Sequence, residues 1–556
     1  MMQTVASAPA VPSIPGRITH PLAFWSGVLL CTLGVLVHLA RFLVARAASV
    51  SGVPPQGLEG LFLEIGVGLA MPINFGGLAL ATWGLLPRDW LQRWKARHAQ
   101  QAAPQGSATA ASGLAQMDSA GLSGNHWKLM SRLYVGMALD TMKPATLAFM
   151  IPGLRAEYGL PPSVVALLPF MALTGLTIGS IMFGLIGDVI GRRASFILTA
   201  IILASSSICG FMYGFPWQVG MCFIMGLAAG GELPVIYTLL AETMPARHRG
   251  WMSVVLGGLG GLTGFFLASM TAYLLEPIFT WRMLFIVNLP TALLMVLLVK
   301  WVPESPRFLM QMGHHDEAGR VMASLGATNP TAAAASGPVG VQEPHGVREV
   351  FGRRLRGTTL TLCLYGFAWG LCNWGFITWL PAMVRGLGYD PAFASRLLAT
   401  SALLALPGSL LAAALYSLWS TRKSATLFAL TTCVALVVLG LAQGIVQHDP
   451  TLLTVATVAL LTSSTSMIGV LAPYSVELYP TALRGVGSGV VAAASKSGGL
   501  VGPGLVGGLL TISSALVVPA LVIAAPLFAA GSLMALRARE TRGKRLEELT
   551  AVVVAD

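Results

Sequence analysis

The chain has 556 residues, of which 55% are hydrophobic and only 10% are charged, and its formal net charge is +12. Soluble domains carry about 25% charged residues, so this composition excludes a chain made of soluble domains. Apolar runs of about 20 residues recur, and a helix of that length crosses the hydrocarbon core of a bilayer. The expected fold class is therefore an all-α polytopic membrane protein, and the lipid bilayer is its first expected partner.

The start of the chain holds two apolar segments that stand apart from the rest. Residues 1–20 form a short tail, and residues 21–86 predict an N-terminal transmembrane hairpin. Residues 87–130 begin with basic residues and continue with a stretch rich in Ala, Gly, Ser and Gln. That composition is typical of a flexible linker.

Two groups of six apolar segments follow. The first group covers residues 131–302 and the second covers residues 358–536, with a polar segment at 303–357 between them. A basic tail at 537–556 closes the chain. The hairpin and the two groups together predict fourteen transmembrane helices, with each group of six forming one helical bundle.

The two groups contain the same short sequence pattern. Glu242-Thr-Met-Pro-Ala-Arg-His-Arg249-Gly and Glu477-Leu-Tyr-Pro-Thr-Ala-Leu-Arg484-Gly both read Glu-x-x-Pro-x-x-x-Arg-Gly, at an offset of 235 residues. Each copy follows the fourth apolar segment of its group. A shared spacing at four positions indicates an internal repeat, which is a common feature of transporters.

Lysine and arginine are distributed unevenly between the two sides of the predicted membrane. Of the 34, 26 fall on one side, six on the other and two within apolar segments. By the positive-inside rule the crowded side is cytoplasmic, and both termini lie there. The Ala- and Gly-rich helices and the absence of N-x-[ST] acceptors favour a bacterial inner membrane.

Three further stretches carry a resemblance to a known family. Gly184-Leu-Ile-Gly-Asp188-Val-Ile-Gly191-Arg192-Arg193 resembles the cytoplasmic loop motif of the major facilitator superfamily. The segments 303–309 (PESPRFL) and 540–549 (ETRGKRLEEL) resemble signatures of sugar porters and related metabolite–proton symporters, a subgroup that includes aromatic-acid and nicotinate transporters. The resemblance covers residues 128–549 and implies two six-helix bundles around a central cavity, with alternating access. It does not cover the N-terminal hairpin.

The resemblance also implies a cytoplasmic gate of charged residues that closes when the cavity faces outward. Its expected members lie in the loop motif and in the two repeated turns: Gly184, Asp188, Gly191, Arg192, Arg193, Glu242, Arg249, Glu477 and Arg484. The second-half counterpart of the loop keeps a basic pair, Arg422 and Lys423, but lacks the Asp and the Gly. The alternative is that these residues only anchor the topology.

Four charged residues fall inside apolar segments, where each costs at least about 2.5–3.5 kcal/mol. Asp140 and Lys143 are three residues apart and share a helix face. The resemblance implies a proton or substrate role for Asp140, because relatives carry an aspartate at about this place in their first helix. Glu232 is the other expected site of proton coupling, because a buried carboxyl group can titrate. Lys143 and Lys496 are expected to attract an anionic substrate. The alternatives are that Asp140 and Lys143 only neutralise each other, that Glu232 is a buried acid hydrogen-bonded to a neighbouring helix, and that Lys496 neutralises Glu232 or Asp140.

An aromatic and an amide side chain share one face of the first segment in the second group. Trp369 and Asn373 are four residues apart, which suits stacking and hydrogen bonding of a planar solute. Aromatic residues at this spacing also occur as ordinary packing. Both residues are therefore candidate substrate-binding residues, with packing as the alternative.

Several activities have no support in the sequence. The chain has no nucleotide-binding G-x-x-x-x-G-K-[ST] motif, no nucleophile motif and no Cys-x-x-Cys pair. We therefore expect no enzymatic activity, no cofactor, no metal and no nucleic-acid partner. The first hypothesis is a monomeric secondary transporter that takes up a small organic anion together with protons. The alternatives are a proton-driven exporter of drugs or metabolites, and a transporter-like membrane sensor or scaffold.

Overall fold

The computed structural model of the chain describes most of the residues that the sequence assigns to apolar segments. The described ranges are 18–51, 58–86, 116–211, 214–312, 314–327, 347–353, 355–441, 443–446, 448–479, 483–512 and 516–541. Within these ranges every regular element is a helix and no strand occurs. The expected all-α class is confirmed.

The N-terminal hairpin consists of α1 (Pro21–Ser51) and α2 (Leu58–Leu85). The two helices cross at close range, because a Cβ atom on Gly77 would lie 2.7 Å from the backbone nitrogen of Cys31. Small residues at such a crossing let two apolar helices approach within backbone contact.

A polar contact joins the hairpin to the first bundle. Asn74 of α2 is fully buried; its Nδ2 donates to the carbonyl of Cys31 at 3.1 Å, and its Oδ1 accepts from the hydroxyl of Ser205. Apolar packing surrounds this contact, with Phe24 and Ala81 in one cluster with residues of the first bundle. The hairpin is therefore docked on the first bundle.

The first bundle contains six helices in chain order. They are α3 (Gly124–Tyr158), α4 (Leu167–Ile190), α5 (Arg192–Ser206), α6 (Phe215–Thr243), α7 (Ala246–Phe279) and α8 (Asn288–Leu298). Short helical turns extend them at Pro162–Val165, Ser207–Phe211, Met283–Ile286 and Val299–Trp301. Two short helices, α9 (Pro306–Gln311) and α10 (His315–Ser324), and a turn at Val347–Val350 lie between the bundles in the chain.

The second bundle repeats this pattern. It contains α11 (Arg356–Gly370), α12 (Thr378–Gly386), α13 (Pro391–Ala414), α14 (Thr421–Leu441), α15 (Pro450–Leu478), α16 (Arg484–Ile512) and α17 (Val517–Arg537). A π-helical turn at Leu371–Ile377 joins α11 to α12, a second one at Leu415–Trp419 ends α13, and Gln443–Val446 is a short turn after α14.

The sequence itself fixes where several helices begin. Asp390 precedes Pro391 at the start of α13, and its carboxylate accepts from the backbone N–H groups of the next turn at 2.9 and 3.3 Å. Asp449 and Pro450 repeat this arrangement at the start of α15, at 2.9 and 3.2 Å. Aspartate at the N-cap followed by proline favours the start of a helix. The same Asp-Pro pair therefore begins both α13 and α15.

Eleven helices in the described residues are long and apolar enough to cross a membrane. The helices α2, α3 and α16, with 28, 35 and 29 residues, occupy the other three positions at which the sequence predicts a span. The chain is therefore a multi-pass membrane protein. A count of fourteen spans, with the hairpin among them, stays a prediction.

Helix packing follows the same scheme in both bundles. In the first, α3 packs on α7, α4 on α6, and α5 on α6 and α8; in the second, α11 packs on α16, α13 on α15, and α14 on α15 and α17. The bundles meet where α7 contacts α13 and α15, and where α16 contacts α4. This agrees with the internal repeat that the two Glu-x-x-Pro-x-x-x-Arg-Gly turns predict.

The two ends of the bundles carry different charged residues. The basic face is the end that carries Arg192, Arg249, Arg307 and Arg422. The opposite face carries the turns after α3, α7 and α12, with Glu157, Glu276 and Arg385.

Part of the segment 87–130, which composition predicts as a linker, is helical. Residues 116–119 form a helical turn, and α3 begins at Gly124, where Ser123 and His126 form a reciprocal capping arrangement. Residues 87–115 lie outside the described residues. The prediction was too long because it followed composition, whereas packing orders the last part of the segment.

Candidate functional site

A central cavity of about 210 Å³ lies between the two bundles. Aromatic residues line it from both sides, among them Tyr237 and Phe265 from the first bundle and Trp369 and Trp374 from the second. Its polar lining includes Asn373 and the hydroxyl groups of Thr141, Thr378 and Thr465. Among the described residues the lining carries no charged side chain.

Trp369 and Asn373 lie on this cavity, as their spacing predicts for a shared face. The ring nitrogen of Trp369 is buried and donates to no described residue. Asn373 and Trp374 stand on the π-helical turn Leu371–Ile377. Such turns are frequent at functional sites.

A buried charge cluster lies inside the first bundle, away from the cavity lining. Lys143 Nζ lies 3.4 Å from Glu232 Oε2 and 3.0 Å from the sulfur of Met295. Neither Lys143 nor Glu232 has an exposed side chain, and Asp140 is 2% exposed, with its carboxyl group beside that of Glu232. Oδ1 of Asp140 and Oε1 of Glu232 accept no hydrogen bond from a described residue.

The position of Lys143 differs from the expected one at the substrate. Asp140 and Lys143 share a helix face, but Lys143 pairs with Glu232 across the bundle. Since Lys143 is fully buried and the cavity lining does not include it, the structure does not place it as a direct contact for a substrate in the cavity. The spacing within one helix could not reveal a partner 89 residues away in the chain.

Lys496 contacts the first bundle at a separate place. Its Nζ donates to the hydroxyl of Ser180, which joins α16 to α4. The lining of the central cavity does not include Lys496. The structure therefore brings together Asp140, Lys143 and Glu232, but not Lys496.

The basic face of the first bundle holds a charge network around the start of α5. Glu304 accepts from the backbone N–H groups of Arg192 at 2.9 Å and Arg193 at 3.2 Å. The guanidinium of Arg192 lies 3.8 Å from Glu242. Burial raises the pKa of Glu304 above its usual range, although backbone donors and Arg192 favour its carboxylate form. A carboxylate here also meets the positive end of α5.

The second bundle has a matching carboxylate at the start of α14. Glu540 accepts from the backbone N–H of Thr421 at 2.9 Å, from its hydroxyl at 2.6 Å and from the hydroxyl of Ser420. Glu477 accepts from the hydroxyl of Thr541 at 2.5 Å. The side chains of Asp188 and Arg484, both expected in the gate, lie outside the described residues, and Gly184 lies within α4.

Arg249 pairs with a carboxylate from outside its own motif. Its Nη2 lies 2.6 Å from Asp118 Oδ1, while Glu242 of the same motif pairs with Arg192. Arg307 lies 3.3 Å from the other oxygen of Asp118. Sequence reasoning missed Asp118 because the linker composition around it gives no sign of packing.

The opposite face holds an ion pair between the two bundles. Arg385 Nη2 lies 2.7 and 2.9 Å from the two carboxylate oxygens of Glu276, and both side chains are at least 85% buried, with 15% and 13% exposure. Nearby, the backbone N–H of Ser163 donates to the hydroxyl of Thr511 at 3.2 Å. These contacts close the two bundles against each other at the opposite face. The sequence shows two charges at segment ends, but not that they meet.

Comparisons with known proteins agree with this geometry. The family model described as Major Facilitator Superfamily matches residues 133–503. The niacin transporter NiaP of Acinetobacter baylyi is 26% identical over 428 residues, 76% of this chain and 96% of that protein. The 4-hydroxybenzoate transporter PcaK of Pseudomonas putida is 28% identical over 280 residues, 48% of this chain and 61% of that protein.

A solved structure also superposes on the chain. The inward-open conformation of the xylose transporter XylE from E. coli has a TM-score of 0.63 and 19% sequence identity. The match covers 77% of this chain and 99% of that one. It shows that the two share a fold.

Proposed function

The chain belongs to the Major Facilitator Superfamily, a family of transporters rather than enzymes, and from that premise we propose that it takes up a small aromatic carboxylate together with protons. The relatives named above transport niacin and 4-hydroxybenzoate, both of which are planar aromatic acids. The aromatic lining of the cavity, with hydrogen-bonding groups from Trp369 and Asn373, suits a ring of this size.

The observation that carries the proton coupling is the buried cluster of Asp140, Glu232 and Lys143. The cluster has two carboxyl groups and one ammonium group. The side chains of Lys143 and Glu232 are not exposed to water. Two adjacent carboxyl groups resist being ionised together, so one proton makes the cluster neutral. The proposal is that this proton is the transported one.

The geometry supports a simple way to couple the proton to the solute. Glu232 holds Lys143 by charge, and protonation of Glu232 would remove that attraction. The cluster would then lose its net negative charge, which lies on the same helix as Thr141 of the cavity wall. An anionic solute is favoured in that state and disfavoured in the deprotonated one, which is coupling between two binding events.

We place the basic face in the cytoplasm of a bacterial cell, with both termini on that side, and take the working unit to be a monomer. The positive-inside rule supports the orientation, since 26 of the 34 lysine and arginine residues fall on this side of the predicted membrane. Alternating access then requires the contacts at the opposite face to open in turn.

Transport by purified protein in liposomes tests the proposal. An inward proton gradient should drive accumulation of radiolabelled niacin or 4-hydroxybenzoate, and Asp140→Asn or Glu232→Gln should abolish the dependence on the gradient. Asp316→Asn, which changes an exposed acid on α10, is the matched control and should behave as the wild type. Accumulation that is independent of the gradient would contradict the proposal. So would extrusion of cationic dyes without any transport of niacin or 4-hydroxybenzoate.

A further inference from the structure

The end of the predicted linker is part of the packed structure at the basic face. Residues 116–123, which we call the docked segment, run from a helical turn to the start of α3. Met117 is fully buried in a small cluster with Leu309 of α9 and Met322 of α10. Asn125, just beyond the segment, donates to the carbonyl of Ser324 at 2.8 Å. The segment is therefore held in place by apolar packing and by the loop helices.

This packing places one carboxylate between two arginines from different motifs. Asp118 Oδ1 lies 2.6 Å from Arg249, and Oδ2 lies 3.3 Å from Arg307. Arg249 belongs to the repeated turn that ends the fourth span, and Arg307 belongs to the segment after the sixth. The aspartate itself precedes residue 133, where the match to the family model begins. The acid that pairs with both arginines thus comes from outside the repeated unit.

The contact occurs in a particular conformational state. The two bundles are closed at the opposite face by Glu276 and Arg385. In that state Asp118 keeps both guanidinium groups on the first bundle, where Arg249 also donates to the carbonyl of Met244 at 3.0 Å. An arginine held by its own bundle is not available to carboxylates of the second bundle, such as Glu477 at the basic end of α15.

We propose that Asp118 is a positioning residue of the gate: it holds Arg249 and Arg307 on the first bundle and so stabilises the state that is closed at the opposite face. The inference rests on the proposed alternating access but not on the substrate or the proton. It assigns the docked segment a function in conformational exchange. From composition alone, the same residues are predicted to be a passive linker.

Hydrogen–deuterium exchange of the full chain in lipid nanodiscs, without substrate, tests this inference. Asp118→Asn frees the two arginines, so the state closed at the opposite face should become less populated. Exchange at the far side of the molecule, in residues 159–167 and 505–512, should then rise about two- to fivefold, the range expected for a partly exposed charge pair. Asp118→Glu should restore the wild-type rate, and Asp316→Asn should leave it unchanged.

A second set of variants separates this role from simple loosening of the fold. Arg249→Gln combined with Arg307→Gln removes the groups that Asp118 controls, so adding Asp118→Asn to that background should change the opposite-face exchange no further. A rise in exchange with the arginine variants alone, or an unchanged rate in Asp118→Asn, would overturn the inference. Because no solute is used, failure of the proposed transport would appear separately, as absent uptake with the exchange pattern intact.

Discussion

Gly191 marks the turn from α4 into α5, and its backbone requires glycine. Its φ is +101°, and a Cβ atom there would lie 2.6 Å from Oε2 of Glu304. We expect Gly191→Ala to lower the free energy of unfolding by about 1–3 kcal/mol, because it combines a strained φ with displacement of the capping carboxylate. Thermal unfolding in detergent measures the loss.

Gly250 provides the matched control for this substitution. It lies in α7, and a Cβ atom on it would meet no atom within 4 Å. Gly250→Ala should be neutral or stabilising by up to about 1 kcal/mol, because alanine favours helix. Equal losses for the two variants would show that the carboxylate contact is not the cause.

Glu304 makes stability depend on pH in a defined direction. Burial raises its pKa in the folded state above the ordinary value of 4.5. The contribution of Glu304 to the free energy of unfolding is then present in full below pH 4.5. It is lost as the pH rises through the raised pKa. The midpoint of thermal unfolding, compared with that of Glu304→Gln, should fall as the pH is raised from about 4 to about 8. A difference that grows with pH instead would mean that the backbone donors outweigh burial.

The ring nitrogen of Trp369 offers a test of the cavity at the level of one atom. Trp369→Phe keeps an aromatic ring but removes the N–H group that meets no described partner. We expect KM for niacin to rise about three- to tenfold with kcat nearly unchanged, as for loss of one hydrogen bond of about 1 kcal/mol. Uptake kinetics in liposomes measure both constants. A change in kcat alone would point to helix motion.

At the scale of elements, α5 and α14 both begin at the basic face with a carboxylate bound to their first turn, although the sequences before them differ. Gly191 and Ser420 occupy equivalent positions before α5 and α14, but Ser420 has a φ of −170°, which any residue adopts. The carboxylate contact is nevertheless kept, with Glu540 in place of Glu304. The missing glycine in the second loop therefore reflects a different backbone path, and the contact itself is retained.

The docking of α2 on α5 also gives a prediction. Asn74→Leu removes both of its side-chain hydrogen bonds and should cost about 0.6–1.7 kcal/mol, the range for polar contacts between helices in membranes. Amide exchange in α1 and α2 should rise together with a lower unfolding temperature. Thr82→Val is the control, since Thr82 bonds only to Leu78 of its own helix among described contacts. A similar loss in both variants would exclude a specific docking contact.

For the whole molecule, the pair of Glu276 and Arg385 predicts how the opposite face opens. Glu276→Gln should weaken the closed state by about 1–3 kcal/mol, because it removes the charge from a largely buried contact. Amide exchange in residues 162–166 should rise accordingly. Exchanging the charges, with Glu276→Arg and Arg385→Glu, should restore protection. No recovery in the exchanged pair would mean that geometry, and not charge, holds this face.

Much of the fold could be predicted from the sequence, because long apolar segments and a 235-residue repeat constrain a membrane protein strongly. The candidate site could be predicted only in part. Trp369 and Asn373 share a face within one helix, so spacing alone places them together. The partners of Lys143 and Arg249 come from distant parts of the chain, and Asp118 lies in a segment with linker composition. Such contacts depend on tertiary packing, which local spacing does not encode.

The hydrogen bonds of Asn74 have a consequence for how the protein is made. Synthesis begins at the N-terminus, so the hairpin leaves the ribosome long before Ser205 of α5 exists. During that interval the side-chain donor of Asn74 is already satisfied within the pair, by the carbonyl of Cys31. Only the acceptor Oδ1 waits for a partner. If the hairpin spans the bilayer as the sequence predicts, the bond between its two helices can form before α5 exists, and the paired helices would later present Oδ1 to Ser205.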